Sequence, residues 1–141
     1  MKKYFLILFS AVLFISGCAT TSHMKGTSAS GVAYTDAPIN IAFDISCQAL
    51  QSLGYIIELK DQDNYFVKGK YSNPLVSYTG IYGQVETITE AGGTKIVYGI
   101  YEPGGIAALD ITFSYPRYAN NIFIKIEEQL KSKGYKVQKS R

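Results

Sequence analysis

The chain has 141 residues, 47% of them hydrophobic and 18% charged, with 14 basic and 11 acidic side chains. That length suits one domain with a real hydrophobic core, and the charge forms no basic stripe of the kind nucleic-acid binding needs. The single histidine, His23, lies in a polar stretch, which argues against histidine acid–base catalysis, Ser-His triads and His-rich metal sites.

Lys2-Lys3 opens the chain, an apolar run extends from Tyr4 to Ile15, and the small residues Ser16-Gly17 precede Cys18. A positive start, a short apolar run and a small-residue cleavage point are the order of a secretory signal peptide. The run is short for a membrane span, which takes about 20 apolar residues. Ile15-Ser16-Gly17-Cys18 resembles the lipobox of bacterial lipoproteins, with Ile15 where the motif prefers Leu. The resemblance implies that residues 1–17 are removed as a signal peptide. It implies too that the Cys18 thiol receives a diacylglycerol and that its freed amine often receives a further chain such as palmitate. Two or more chains, at about 0.8 kcal/mol per buried methylene, hold a protein firmly to a membrane. In Gram-negative enteric bacteria, Asp after the cysteine retains such proteins at the inner membrane. Ala19 therefore implies the outer membrane, on its periplasmic side.

Removal of the leader leaves 124 of the 141 residues, and it takes two lysines and no acid, so 12 basic residues face 11 acidic ones. Cys47 then has no partner for an internal disulfide and is expected to be buried. Residues 18–31 are small, polar and without apolar periodicity, and they read as a lipidated N-terminus with a flexible tether. Residues 32–141 read as a single domain.

Val32-Ala33-Tyr34 is a short strand. Thr35-Asp36-Ala37-Pro38 marks a helix start, a capping-type residue ahead of Pro. Ile39, Phe43, Cys47 and Leu50 follow at helical spacing, beside Ala42, Ser46 and Leu53, and Gly54 ends the helix. Cys47 is thus a small core residue. Tyr55 to Lys60 alternates, with Tyr55, Ile57 and Leu59 on one face. Asp61-Gln62-Asp63-Asn64 is a turn, and Tyr65 to Tyr71 sets Tyr65, Val67 and Tyr71 against Phe66, Lys68 and Lys70. Ser72-Asn73-Pro74 breaks the run. Ser77 to Thr89 is a long strand in which Gly80 and Gly83 suggest a bulge or a close backbone approach. Ala91-Gly92-Gly93 is a hairpin turn. Thr94 to Tyr101 returns with Ile96, Tyr98 and Ile100 on one face, Pro103-Gly104-Gly105 turns again, and Ile106 to Phe113 is a fifth run. A second helix opens near Pro116. It buries Ala119, Ile122, Phe123, Ile126 and Leu130 and wets Asn120, Asn121, Lys125, Glu127, Glu128 and Lys131. Gly134 stops it, and Tyr135-Lys136-Val137 is a last short strand. Leu50 to Tyr55 echoes Leu130 to Tyr135, and a shared helix C-cap explains the echo.

No catalytic set emerges from these residues, and no cofactor or metal is implied. Asp61-Gln62-Asp63-Asn64 has Phe66 and Ser72 where a calcium loop needs Gly and Glu. Gly80 to Gly83 and Pro103 to Gly105 lack phosphate-loop spacing. Glu127 and Glu128 are helix neighbours that point apart. Glu58, Glu86, Glu102 and Asp110 lie in or beside strands, where a converging pair is the remaining route to an enzyme. Two surfaces stand out. One is the set Tyr65, Tyr71, Tyr78, Tyr82, Tyr98 and Tyr101, most of which are expected to pack the sheet. The other is the loop from Ser72 to Ser77 with the turn from Glu102 to Gly105.

The predicted fold is α+β, an antiparallel sheet of about five strands with two amphipathic helices on one face. Leu53-Gly54-Tyr55 and Ile126-Glu127-Glu128-Gln129-Leu130 give residues 32–137 a likeness to small bacterial lipoproteins of no agreed activity, which implies this fold and little else. The function expected is a membrane-anchored cell-envelope lipoprotein whose non-catalytic domain binds other envelope proteins. The alternative is a periplasmic domain that takes a small ligand or lipid in a cavity between helices and sheet.

Overall fold

The structure, a computed structural model, describes Met24 and residues 29–72, 80–103 and 115–141. The elements run β1 (Ala29–Thr35), α1 (Ile39–Ser52), β2 (Ile56–Asp61), β3 (Phe66–Tyr71), β4 (Ile81–Glu90), β5 (Gly93–Tyr101), α2 (Tyr115–Ser132) and β6 (Val137–Lys139). All six strands join one sheet in the order β2-β3-β4-β5-β1-β6, antiparallel at each pairing. Helix α1 packs against β2 to β5, and α2 packs against α1, β1, β5 and β6. The result is the expected two-layer α+β sandwich, with six strands among the described residues rather than about five. The run from Ile106 to Phe113, Tyr78 and Asp110 lie outside the described residues, as do residues 1–23 with Cys18 and His23.

Both helices follow from their stripes and their ends. In α1, Ala42, Phe43, Ser46, Cys47 and Leu50 are buried, and Ile45 and Ala49 widen the stripe beyond the one predicted. In α2, Ala119, Ile122, Phe123, Ile126 and Leu130 are buried as expected. The repeated Leu…Gly-Tyr sequence closes both helices in the same way. The Tyr55 N–H donates to the Leu50 carbonyl at 3.0 Å and the Gly54 N–H to that of Gln51 at 3.0 Å; Tyr135 and Gly134 bond to Leu130 and Lys131 at 3.1 and 2.9 Å. This Schellman closure needs a left-handed residue, and Gly54 and Gly134 have φ of 89° and 88°. At its start α1 departs from expectation. Pro38 itself is the N-cap and has no side-chain cap, because a proline ring carries no acceptor, while Thr35 and Asp36 bond elsewhere.

The helix-facing side of the sheet carries Ala33, Val67, Ile81, Val85, Ile96, Tyr98 and Ile100, which form one core with both helices. Three strands differ from their sequence reading, and the last, β6, runs Val137–Lys139 rather than Tyr135 to Val137, because Tyr135 is taken up by the helix closure. β1 begins at Ala29, three residues inside the expected tether, and pairs with β5 over its full length. Gly31 belongs in that strand because the Tyr98 ring lies where a side chain would project: a Cβ there would stand 2.4 Å from Cζ. In β2, the register shifts between Ile57, opposite Gly69, and Leu59, opposite Lys68. Glu58 is the extra residue of a bulge, so the strict alternation fails. Ile57 packs on the core, while Leu59 turns to the far face and is exposed.

Candidate functional site

At one end of the sheet, β1 hands over to α1 through Thr35-Asp36-Ala37, and the β4–β5 hairpin turns through Ala91-Gly92. Three side chains pin this corner. The buried Thr94 hydroxyl donates to the Ala37 carbonyl at 2.8 Å, and the buried Thr35 hydroxyl accepts from the Ala37 N–H at 3.2 Å. Asp36 Oδ1 accepts from the Lys136 N–H at 2.8 Å, across 100 residues of sequence, and ties the approach to β6 to the same corner. A hollow of about 480 Å³ opens over it, rimmed by Tyr34, Asp36, Glu90, Gly92, Lys136 and Gln138. A second hollow of about 560 Å³ shares Tyr34, Glu90 and Gln138 with the first. Tyr34 is the common wall. It lies between Lys95 of β5 and Gln138 of β6 in the sheet register, close enough for side chains to meet. Glu90 reaches Lys95 at 3.9 Å. Among the described residues Tyr34 is the one aromatic side chain that counts as exposed, at 39%.

The sequence reading missed this place. Tyr34 was outside the tyrosine set it singled out, although the alternation of Val32-Ala33-Tyr34 already turns Tyr34 away from the buried Ala33. The tyrosines it did single out divide. Tyr65, Tyr71 and Tyr98 lie on the helix side with the core. Tyr82 and Tyr101 stack on the far face at 5.1 Å between centroids, and Lys68 and Lys70 place their ammonium groups 5.2 and 5.8 Å from the Tyr82 ring centre. Such contacts are worth about 0.5–1 kcal/mol at exposed sites. This far face is partly covered: Gln84 is 0% exposed, and Phe66, Glu86 and Tyr101 are buried. It is no bare solvated sheet.

Between helices and sheet, Leu53, Tyr55, Tyr71, Tyr118 and Asn121 line a crevice of about 150 Å³. Ligand pockets usually hold roughly 300–1,000 Å³, so this crevice is small for a lipid. The Tyr55 hydroxyl is buried without a hydrogen-bond partner, and burial, with the nearby Tyr118 and Tyr71, pushes its pKa up.

Among the described residues, Glu86 and Glu102 do not converge. Glu86 lies opposite Val97, five residues along β5 from Glu102, roughly 17 Å at strand spacing. Glu102 accepts a short hydrogen bond from the Tyr115 hydroxyl. Glu127 and Glu128 pair with Lys131 and Lys125 at 2.7 and 3.3 Å on the outside of α2. Asp61 is spent within its own turn: Oδ1 accepts from the Asp63 and Asn64 N–H groups at 3.1 Å each, and Oδ2 from the Asn64 amide at 2.8 Å. Cys47 is buried on α1, and burial raises its thiol pKa. Among the described residues no group of three or more His, Cys, Asp and Glu side chains is placed to hold a metal ion, and no helix is long and apolar enough to cross a membrane. Compared with protein-family models and with curated proteins, the chain matches neither a family nor a curated protein.

Proposed function

We propose that this is a lipid-anchored protein of the bacterial cell envelope whose α+β domain is a non-catalytic binding module. The leader and Cys18 supply the anchor, and Ala19 favours the outer membrane. The observation that carries the binding role is the position of the two hollows. Ten residues separate Cys18 from Ala29, a reach of at most about 40 Å. β1 then runs seven residues from Ala29 to Thr35, roughly 20 Å more at strand spacing. The tether enters at one end of the sheet and the pinned corner with its hollows lies at the other. A tether of this reach attached at Ala29 leaves that far end free to meet whatever else the envelope contains.

A photo-reactive residue at Tyr34 of the full chain, in the intact envelope, tests this reading. One envelope component captured reproducibly from Tyr34, not from a matching probe at the exposed Gln48 of α1, and weakened by Cys18→Ala, is the expected result. Equal capture from both positions, or capture untouched by Cys18→Ala, contradicts it. The alternative of a lipid held between helices and sheet draws no support from a 150 Å³ crevice.

A further inference from the structure

We infer that one corner of the sheet's far face, built from Ile56, Leu59, Lys68, Lys70 and Tyr82, rests on the lipid surface that holds the anchor. The inference rests on the lipid anchor of the reading above and adds a membrane-facing side to the domain. It starts from β2. Ile56 is the most exposed large apolar side chain among the described residues, at 69%, and Leu59 follows at 43%. Three residues apart on a regular strand, the two would point to opposite faces. The extra residue at Glu58 brings both to the far face, Ile56 opposite Lys70 and Leu59 opposite Lys68.

The two lysines hold their ammonium groups 5.2 and 5.8 Å from the Tyr82 ring centre. Among the described residues neither forms an ion pair. Two carboxylates lie near: Glu58, exposed in the bulge, and Glu86, buried on β4 opposite Phe66. The corner is therefore no strong trap for anions, and its attraction for a bilayer is aliphatic first. Ile56 and Leu59 enter among the headgroups. Lys68 and Lys70 lay their stems along apolar surface and keep their charge at the level of the lipid phosphates. A tyrosine, apolar in body and polar at its tip, suits the same boundary.

The tether names the occupant. Ala29 lies opposite Ile100, Ile100 opposite Gly83, Gly83 opposite Gly69 and Gly69 opposite Ile57. Tyr101, Tyr82, Lys70 and Ile56 form the adjoining row. The corner thus lies at the end of the sheet where the chain arrives from Cys18, and the hollows lie at the other end. Four strand spacings, roughly 19 Å, separate β1 from β2, well inside the reach of about 40 Å that ten tether residues allow. A stable protein interface takes about 20–30 residues a side, far more than two aliphatic side chains and their neighbours supply. A membrane asks less, because the anchor keeps its surface within reach and makes a weak contact intramolecular.

The chain contains no tryptophan, so a single introduced one reports its own surroundings. Leu59→Trp is compared with Ile124→Trp on α2, where Ile124 is similarly exposed at 41%, so that the membrane preference of tryptophan itself is matched. Each full chain, isolated from host membranes, is reconstituted into vesicles of phosphatidylethanolamine and phosphatidylglycerol with brominated acyl chains. Flotation with the vesicles reads the anchor, and quenching by bromine reads the contact. The expected result is a chain that floats, with Leu59→Trp quenched and Ile124→Trp not. Adding Ile56→Ser to Leu59→Trp should lower the contact equilibrium about tenfold, and Lys68→Gln with Lys70→Gln should lower it as well. A floating chain quenched equally at both positions, or at neither, overturns the contact and leaves the anchor standing. A blue shift at Leu59→Trp that grows with protein density and brings no quenching gives the corner to a second copy and overturns the contact too. A chain that does not float takes anchor and contact down together.

Discussion

Gly83→Ala tests the packing of the core where both helices meet the sheet. A Cβ on Gly83 would lie 2.9 Å from Leu50 Cδ2, 2.9 Å from Tyr55 Cε1 and 3.1 Å from Ile122 Cδ1. Carbon atoms pack best at about 3.5–4.0 Å, so each contact is short by roughly half an ångström or more. None of the three neighbours can swing into solvent, since Leu50 and Ile122 are 0% exposed and Tyr55 5%. They approach from α1, from the entry to β2 and from α2, so relief in one direction tightens another. Overpacking of this kind costs about 1–3 kcal/mol. Loss of glycine freedom in the unfolded chain returns about 0.4–1 kcal/mol. The net expectation is a loss of about 1–2 kcal/mol, or roughly 0.5–1 M in urea midpoint at a slope near 2 kcal/mol/M. Urea unfolding followed by circular dichroism measures it. In a Leu50→Ala background the same substitution should cost less, because the cavity accepts the methyl, with a coupling of about 0.5 kcal/mol or more. An unchanged or raised midpoint for Gly83→Ala, with additive behaviour in the double variant, would refute this packing.

Tyr55→Phe removes a buried hydroxyl that has no partner, so stability should hold or rise by up to about 1–3 kcal/mol; a loss above about 1 kcal/mol would mean the hydroxyl is bonded. Asp36→Ala releases the Lys136 N–H, and amide exchange along β6 should quicken while stability falls by about 1 kcal/mol; protection unchanged at Lys136 would deny the tie. Burial raises the Cys47 thiol and the Tyr55 and Tyr98 hydroxyls, and burial with the Glu102 hydrogen bond raises Tyr115 to about 12. Folded values above unfolded ones mean that this stability is whole below the unfolded values, about 8.5 for a thiol and 10 for a phenol, and is lost as pH climbs past them. The urea midpoint should therefore fall between pH 9 and 11, and a rise over that interval would contradict the assignment.

Sequence legibility tracked how local the cause was. The stripes of α1 and α2, their Gly-Tyr closures, the Asp61 turn and the inward face of β5 are written within a few residues, and each was readable. The phase of β2 was not, because the bulge at Glu58 is set by pairing with Gly69 and Lys68 on another strand. The start of β1 was hidden for a similar reason. Ser30-Gly31 has the composition of a linker, and only the Tyr98 ring, 67 residues on, explains why glycine belongs in the strand there. The hollows around Tyr34 depend on β1 lying between β5 and β6 and on the Asp36–Lys136 bond. No window of sequence joins Tyr34, Glu90 and Gln138. Tyr82 and Tyr101 were visible as strand tyrosines, yet their stack required the register of β4 and β5.

The proposed lipid anchor is tested by the mass of the N-terminal peptide of the full chain isolated from host membranes. The account predicts a peptide that begins at Cys18 and carries a diacylglycerol on its thiol, with or without a further acyl chain on its amine. A chain that keeps residues 1–17, or one that begins elsewhere with an unmodified Cys18, would contradict it.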